Sequence, residues 1–211
     1  MIVEVIQLPA PGQVGVIAHQ KVSPDSGNLG HVPTRLGEFG HAVTGVGDID
    51  GDGIPDAAAG AFENNEPIGG TGKDRGAIWV MLMNTDGTVR SAQQIDGANG
   101  GLGAVLEKKD HFGYAITGLG DLNGDGTPDI AVSAISDDDN AEVKKKKDKG
   151  AVYILFMNSD ATVASHQKIS DTEGNLGVAL FQKDHVGSGL ASRALSLIHI
   201  SETTRPSTIA Y

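Results

Sequence analysis

"FGHAVTGVGDIDGDGIPDAAAGA", residues 39–61, returns as "FGYAITGLGDLNGDGTPDIAVSA" at residues 112–134. The step from Phe39 to Phe112 is 73 residues, and it also relates Gln20-Lys21-Val22 to Gln93-Gln94-Ile95 and Gly30 to Gly103. A third copy follows at an offset of 74, with His166-Gln167-Lys168-Ile169, then Gly177, then Asp184-His185-Val186-Gly187 set against Asp110-His111-Phe112-Gly113. Residues 3–22 align with 76–95, so the chain opens in the last strands of an earlier unit. A sequence that repeats at a fixed period is built from units that bury their faces against one another, which makes the repeat the first fact about the fold.

Inside each unit the hydrophobic pattern has the period of strands. Tyr114-Ala115-Ile116-Thr117 and Asp129-Ile130-Ala131-Val132-Ser133 are short, rich in β-formers and bounded by Gly or Pro. Gly76 to Met83 and Gly150 to Met157 are longer apolar runs, which predicts strands covered on both faces. Asn84-Thr85-Asp86-Gly87 is a turn signal, after which Thr88 to Ile95 returns as an outer strand. Four strands per unit and no helical period predict an all-β fold, a β-propeller segment with four-stranded blades. The expected division is 1–22, the end of a preceding blade; 23–95 and 96–169, two full blades; 170–194, the start of a third; and 195–211, a tail outside the repeat. About two and a half blades cannot close a ring of the usual four to eight, so further blades are expected outside this sequence.

The chain has 211 residues, 39% of them hydrophobic, and a net charge of −11. That charge argues against nucleic acid or an anionic membrane surface as partner. No apolar run reaches the length of a membrane span, so membrane insertion is not expected. There is no cysteine, which excludes disulfides and thiolate chemistry. The N-terminal residues lack the basic and apolar segments of a signal peptide.

Between the first two strands of each unit lies a carboxylate-rich loop. Asp48, Asp50, Asp52 and Asp56 crowd into nine positions with Gly47, Gly51 and Gly53, and so many like charges require a cation between them. Calcium takes 6–8 oxygen ligands, and alternate loop positions can aim side chains at one centre. The expected ligands of the first loop are Asp48, Asp50 and Asp52, the backbone carbonyl of Ile54, and Asp56. Those of the second are Asp121, Asn123, Asp125, the carbonyl of Thr127, and Asp129. Asn123 keeps an oxygen but removes a charge, so the second site is expected to bind more weakly. An EF-hand needs a bidentate Glu at position twelve; Ala59 and Val132 stand there, inside predicted strands. Magnesium fits less well because it demands near-octahedral geometry and retains its waters. Two structural Ca2+ sites are expected, with affinities suited to a calcium-rich exterior.

The Phe-Gly start, the aspartate loop, the Asp-Ile-Ala-Val-Ser-Ala strand and the Gly-Ala-Val-Tyr-Ile-Leu strand together resemble FG-GAP repeats over residues 1 to about 191. The Gly-Ala-Pro of that family appears here as Gly60-Ala61-Phe62 and Ser133-Ala134-Ile135. The resemblance implies the propeller of integrin α chains and of many bacterial surface proteins, which recognises protein or glycan through face loops without chemistry. A calcium-stabilised extracellular or cell-surface binding and adhesion module, non-catalytic, is the expectation. The alternative is the accessory propeller of a larger secreted hydrolase, lyase or phospholipase D-like enzyme.

Other features point less far. Asp137-Asp138-Asp139-Asn140 and Lys144-Lys145-Lys146-Lys147-Asp148-Lys149 share one inter-strand segment, either a charged recognition loop or a solvated one. Its counterpart, Glu63 to Gly70, has different chemistry. Gly69-Gly70-Thr71-Gly72-Lys73 fails the phosphate-loop spacing and carries Asp74 where Ser or Thr belongs. His41, His111 and His185 read as strand-flanking residues, and no acid/base pair or nucleophile triad stands out. By register Leu195 takes the place of Asp121. The string from Leu195 to Arg205 resembles a translated sequencing adapter with Thr203 in place of Pro, so read-through at a fragment end is expected; the competing reading is a degenerate strand at 195–200.

Overall fold

The computed structural model describes residues 3–7, 18–23, 26–30, 37–64, 74–103, 106–139 and 148–191. The lysine run at 144–147, most of the counterpart loop, the 69–73 segment and the tail at 195–211 lie outside the described residues. Ten strands, and no helix among the described residues, form three antiparallel sheets. β1 (Val3–Gln7) pairs with β2 (Ala18–Val22). β3 (Val43–Gly47), β4 (Asp56–Ala61), β5 (Ala77–Met83) and β6 (Val89–Ile95) make one meander, and β7 (Phe112–Gly120), β8 (Asp129–Ala134), β9 (Ala151–Met157) and β10 (Val163–Ile169) make the next. These are propeller blades, and among the described residues they do not close into a ring.

Alternation along each strand decides where the core sits, because successive side chains leave a sheet on opposite faces. Ile78, Val80 and Leu82 point from β5 toward the following blade and meet Ile130, Val132, Tyr153, Leu155 and Met157. Ala77, Trp79, Met81 and Met83 point the other way and meet Val22, Leu29 and Phe39. β5 is therefore buried at every residue. β9 is not: Val152, Ile154 and Phe156 are half-buried. Their face looks away from the first blade, and beyond Ile169 the described residues supply no strand to cover it.

Contacts within and between the blades repeat. Phe39 meets Trp79 edge-on at 5.6 Å between ring centroids, and Phe112 meets Tyr153 in the same geometry at 5.6 Å. The Phe112 N–H donates to the Arg75 carbonyl at 2.9 Å, and the Val186 N–H to that of Lys149 at 2.9 Å. On the outer rim the Val89 N–H donates to Gly27 O at 2.9 Å and the Val163 N–H to Gly100 O at 2.8 Å. These pairs put the start of β6 and the start of β10 in equivalent places. A Cβ on Gly60 would lie 2.0 Å from the Gly113 carbonyl oxygen, so only glycine lets the two blades approach this closely.

Strand direction then separates two ends of each blade. β3 and β7 run into the aspartate loops, and β4 and β8 run away from them toward the segments after Ala61 and Ala134. The carboxylate turns and the long inter-strand loops therefore sit at opposite ends of the strands.

Candidate metal centre

The first aspartate loop, residues 48–55, joins β3 to β4. Gly51 and Gly53 have φ of 75° and 87°, the left-handed region that L side chains avoid, and Gly124 and Gly126 repeat this at 81° and 94°. The turns are held from within by carboxylates accepting backbone N–H bonds. Asp48 takes those of Asp52 at 3.0 Å and Gly53 at 2.8 Å, and Asp52 takes that of Ile54 at 2.8 Å. In the second loop Asp121 accepts from Asp125 at 3.1 Å and Gly126 at 2.9 Å, and Asp125 from Thr127 at 2.8 Å. That N–H, together with the Asn123 amide, lowers the Asp125 carboxyl below its ordinary pKa.

The last aspartate of each loop does something different. Asp56, 2% exposed, accepts from Ile49 N–H at 2.8 Å with one oxygen and from Met83 N–H at 2.9 Å with the other. Asp129, fully buried, accepts from Leu122 at 2.8 Å and Met157 at 3.1 Å. Each carboxylate ties its own turn to the far end of the third strand. Burial pushes the Asp56 carboxyl up; the two N–H donors oppose this, and the charges of Asp52 and Asp48 add to it. A cation among these carboxylates would relieve that cost.

Of the ten positions expected from sequence, the structure brings the carboxylates of Asp48, Asp50 and Asp56 together, with one oxygen of each within 4.8 Å of the others. The donor set is all oxygen, which fits a hard divalent cation. Asp52 lies outside that trio and pairs with Arg90 of β6, which also pairs with Asp50. Ile54 packs its side chain against the core, and its N–H is the one bound by Asp52. In the second loop Asp121, Asp125 and Asp129 do not converge in this way, and the Asn123 amide donates to Asp125 at 2.8 Å.

Two further groupings were not visible in the sequence. At the strand ends away from the aspartate turns, His41, Phe62, Tyr114 and His111 pack edge-on or tilted across the blade boundary, with ring centroids 4.5 Å apart for His41–Phe62, 4.7 Å for His41–Tyr114, 5.2 Å for Phe62–Tyr114 and 5.6 Å for Phe62–His111. The stems of the charged loop are anchored beside them. Lys168 bridges Asp137 at 2.7 Å and Asp139 at 3.0 Å, and the Tyr153 hydroxyl donates to Asp137 at 2.8 Å. Asp110, 2% exposed, sits near this network; burial and then the Asp137 charge raise its carboxyl to about 7. Burial would lower the Lys168 ammonium, but the bonds and charges of Asp137 and Asp139 outweigh it and raise the group. An aromatic residue near each Phe-Gly start was the one available signal, and only the tertiary fold assembles these into a patch.

Two stretches, residues 39–81 and 112–155, match the FG-GAP repeat family. Integrin alpha pat-2 of Caenorhabditis elegans is 38% identical over 145 residues, covering 68% of this chain and 11% of its own length. Integrin alpha-PS2 of Drosophila melanogaster is 32% identical over 144 residues, 66% of this chain and 9% of its own. Integrin alpha-6 of Gallus gallus is 39% identical over 100 residues, 47% and 8% respectively. The chain spans about a tenth of the length of the curated relatives it matches.

Proposed function

Since this chain carries FG-GAP repeats and is related to integrin α chains, we propose that it is a non-catalytic, calcium-stabilised propeller segment of an extracellular or cell-surface adhesion protein. The observation that carries the metal half of this reading is the convergence of Asp48, Asp50 and Asp56 in a turn that glycines hold open. Calcium suits the loop because its larger, flexible shell accepts carboxylate and carbonyl oxygens together. At both turns, Asp48–Asp56 and Asp121–Asp129, the ion is structural: it neutralises carboxylates that also serve as backbone acceptors. No helix of the described residues is long and apolar enough to cross a membrane.

Recognition of a protein or glycan falls to the opposite strand ends, where the loops after β4 and β8 leave the blades. The aromatic patch of His41, Phe62, Tyr114 and His111 supports that placement, since clustered rings offer large contact area at low entropic cost. The repeat boundaries belong to the same proposal: 1–22, 23–95, 96–169, 170–194 and 195–211. Calorimetric titration of calcium into the chain, with magnesium for comparison, tests the metal reading; two sites that prefer calcium are expected, and no uptake of either ion overturns it. Binding of the immobilised chain to a panel of matrix proteins and glycans tests the face. Loss of a captured ligand on Tyr114→Ala is expected, and equal binding by a variant altered only at Leu122, in an aspartate turn, completes the test.

A further inference from the structure

Arg90 enters the first aspartate turn from the outer strand and contacts two of its four carboxylates, Asp50 and Asp52. Asp50 is also a member of the converging trio. Its Oδ2 is held by the guanidinium and its Oδ1 accepts the Asp52 N–H at 3.3 Å. A cation that used Asp50 fully would have to displace the arginine or share an oxygen with it.

The second blade is the control supplied by the repeat. Val163 donates to Gly100 as Val89 donates to Gly27, so Ala164 holds the place of Arg90. In the same blade Asn123 holds the place of Asp50. The extra carboxylate and the guanidinium are thus present together in the first turn and absent together in the second. Four carboxylates with one guanidinium carry the same net charge as three carboxylates alone.

Resting on the calcium reading above, we infer that Arg90 is a built-in counter-cation of the first turn, which stands in for metal at Asp50 and Asp52 and competes with it. The first site is then no stronger than the second despite its additional aspartate. At low calcium Arg90 offsets the charge that Asp50 adds to the first turn and leaves that turn with the net charge of the second.

The test is calcium titration by calorimetry on the full chain, comparing wild type with Arg90→Ala and Arg90→Gln, each also in an Asp48→Asn background. Tightening of one site by about 3–10-fold is expected from releasing two half-exposed ion pairs, and none once Asp48→Asn has disabled that turn. Melting curves provide the second readout. Both Arg90 variants should melt lower than wild type in chelator and together with it in saturating calcium. Affinity that is unchanged or weaker in Arg90→Ala, with two sites still filled, overturns this inference and leaves the calcium reading standing. A wild-type chain that binds no calcium overturns both.

Discussion

The carboxylate of Asp56 accepts the backbone N–H of Met83, at the end of the neighbouring strand, at 2.9 Å. Asp129 and Met157 repeat the contact at 3.1 Å. The residue that closes the proposed calcium shell by spacing is therefore also a fastener between the second and third strands. Removing Asp56 should destabilise the blade even without metal. Asp56→Ala leaves two buried N–H groups unpaired, those of Ile49 and Met83, and should cost about 3 kcal/mol. Urea unfolding in chelator checks it: a loss seen only in calcium would mean the contact to Met83 contributes nothing.

Calcium itself should raise stability by mass action. For sites with Kd of order 10⁻⁴–10⁻³ M, about 10 mM calcium should add roughly 1.5–3 kcal/mol per site. Chelator should lower the melting temperature, and Asp48→Ala should remove the first turn's share. Asp52→Ala, outside the converging trio, should remove less. A melting curve indifferent to calcium and chelator would sink the metal reading.

Gly60 should tolerate no side chain. A Cβ there falls 2.0 Å from the Gly113 carbonyl, backbone that cannot move without separating the blades. Gly60→Ser should cost more than about 2 kcal/mol, although the matching position of the next blade is Ser133. There the Ser133 Cβ faces Gly187, itself without a side chain, and the hydroxyl accepts the Ala115 N–H at 2.9 Å where β7 departs from regular register. In the first blade the Gly60 N–H bonds directly to Ala42 O at 2.9 Å, leaving no such gap. Thermal denaturation of the single variant decides the point.

Asp110 gives the second blade a pH dependence. Its carboxyl is raised to about 7, by burial first and the Asp137 charge next, with Glu107 adding to it and Lys168 and the Glu107 N–H opposing. The folded state therefore holds a proton that the unfolded chain has already released. This contribution to stability is greatest at the acid end, declines as pH rises from about 4 through 7, and is constant above. Asp110→Asn should remove that slope and gain up to about 4 kcal/mol at pH 8. Denaturation midpoints of both proteins from pH 5 to 8 measure it; parallel curves would show that Asp110 titrates normally.

Much of the fold was legible because a β-blade is a local object. The stretch from Phe39 to Ala61 holds a strand, a turn and a strand, and its return at Phe112 states that the unit repeats. The runs at 77–83 and 151–157 declared themselves by unbroken hydrophobicity. The expectation that both are covered on two faces held for β5 and only partly for β9, because covering a face depends on a neighbouring blade and no strand records its neighbour. In the first loop, spacing grouped Asp48, Asp50, Asp52 and Asp56 alike, whereas in space Asp48, Asp50 and Asp56 converge. It could not separate Asp52 from them, since the partner that turns Asp52 aside is Arg90, 38 residues away.

The sequence by itself determined the strand order within a blade, the period of the blades and the oxygen-rich turns, because each depends on neighbouring residues and on the two-residue alternation of a strand. Only the tertiary structure decided how the charges are used. Strand register carried Arg90 to Asp50 and Asp52, and Asp56 to Met83. Blade packing gathered His41, Phe62, Tyr114 and His111 at one edge and buried Asp110 near Asp137. Charge and ring packing act over a few ångströms of space, and distance along the chain does not measure that.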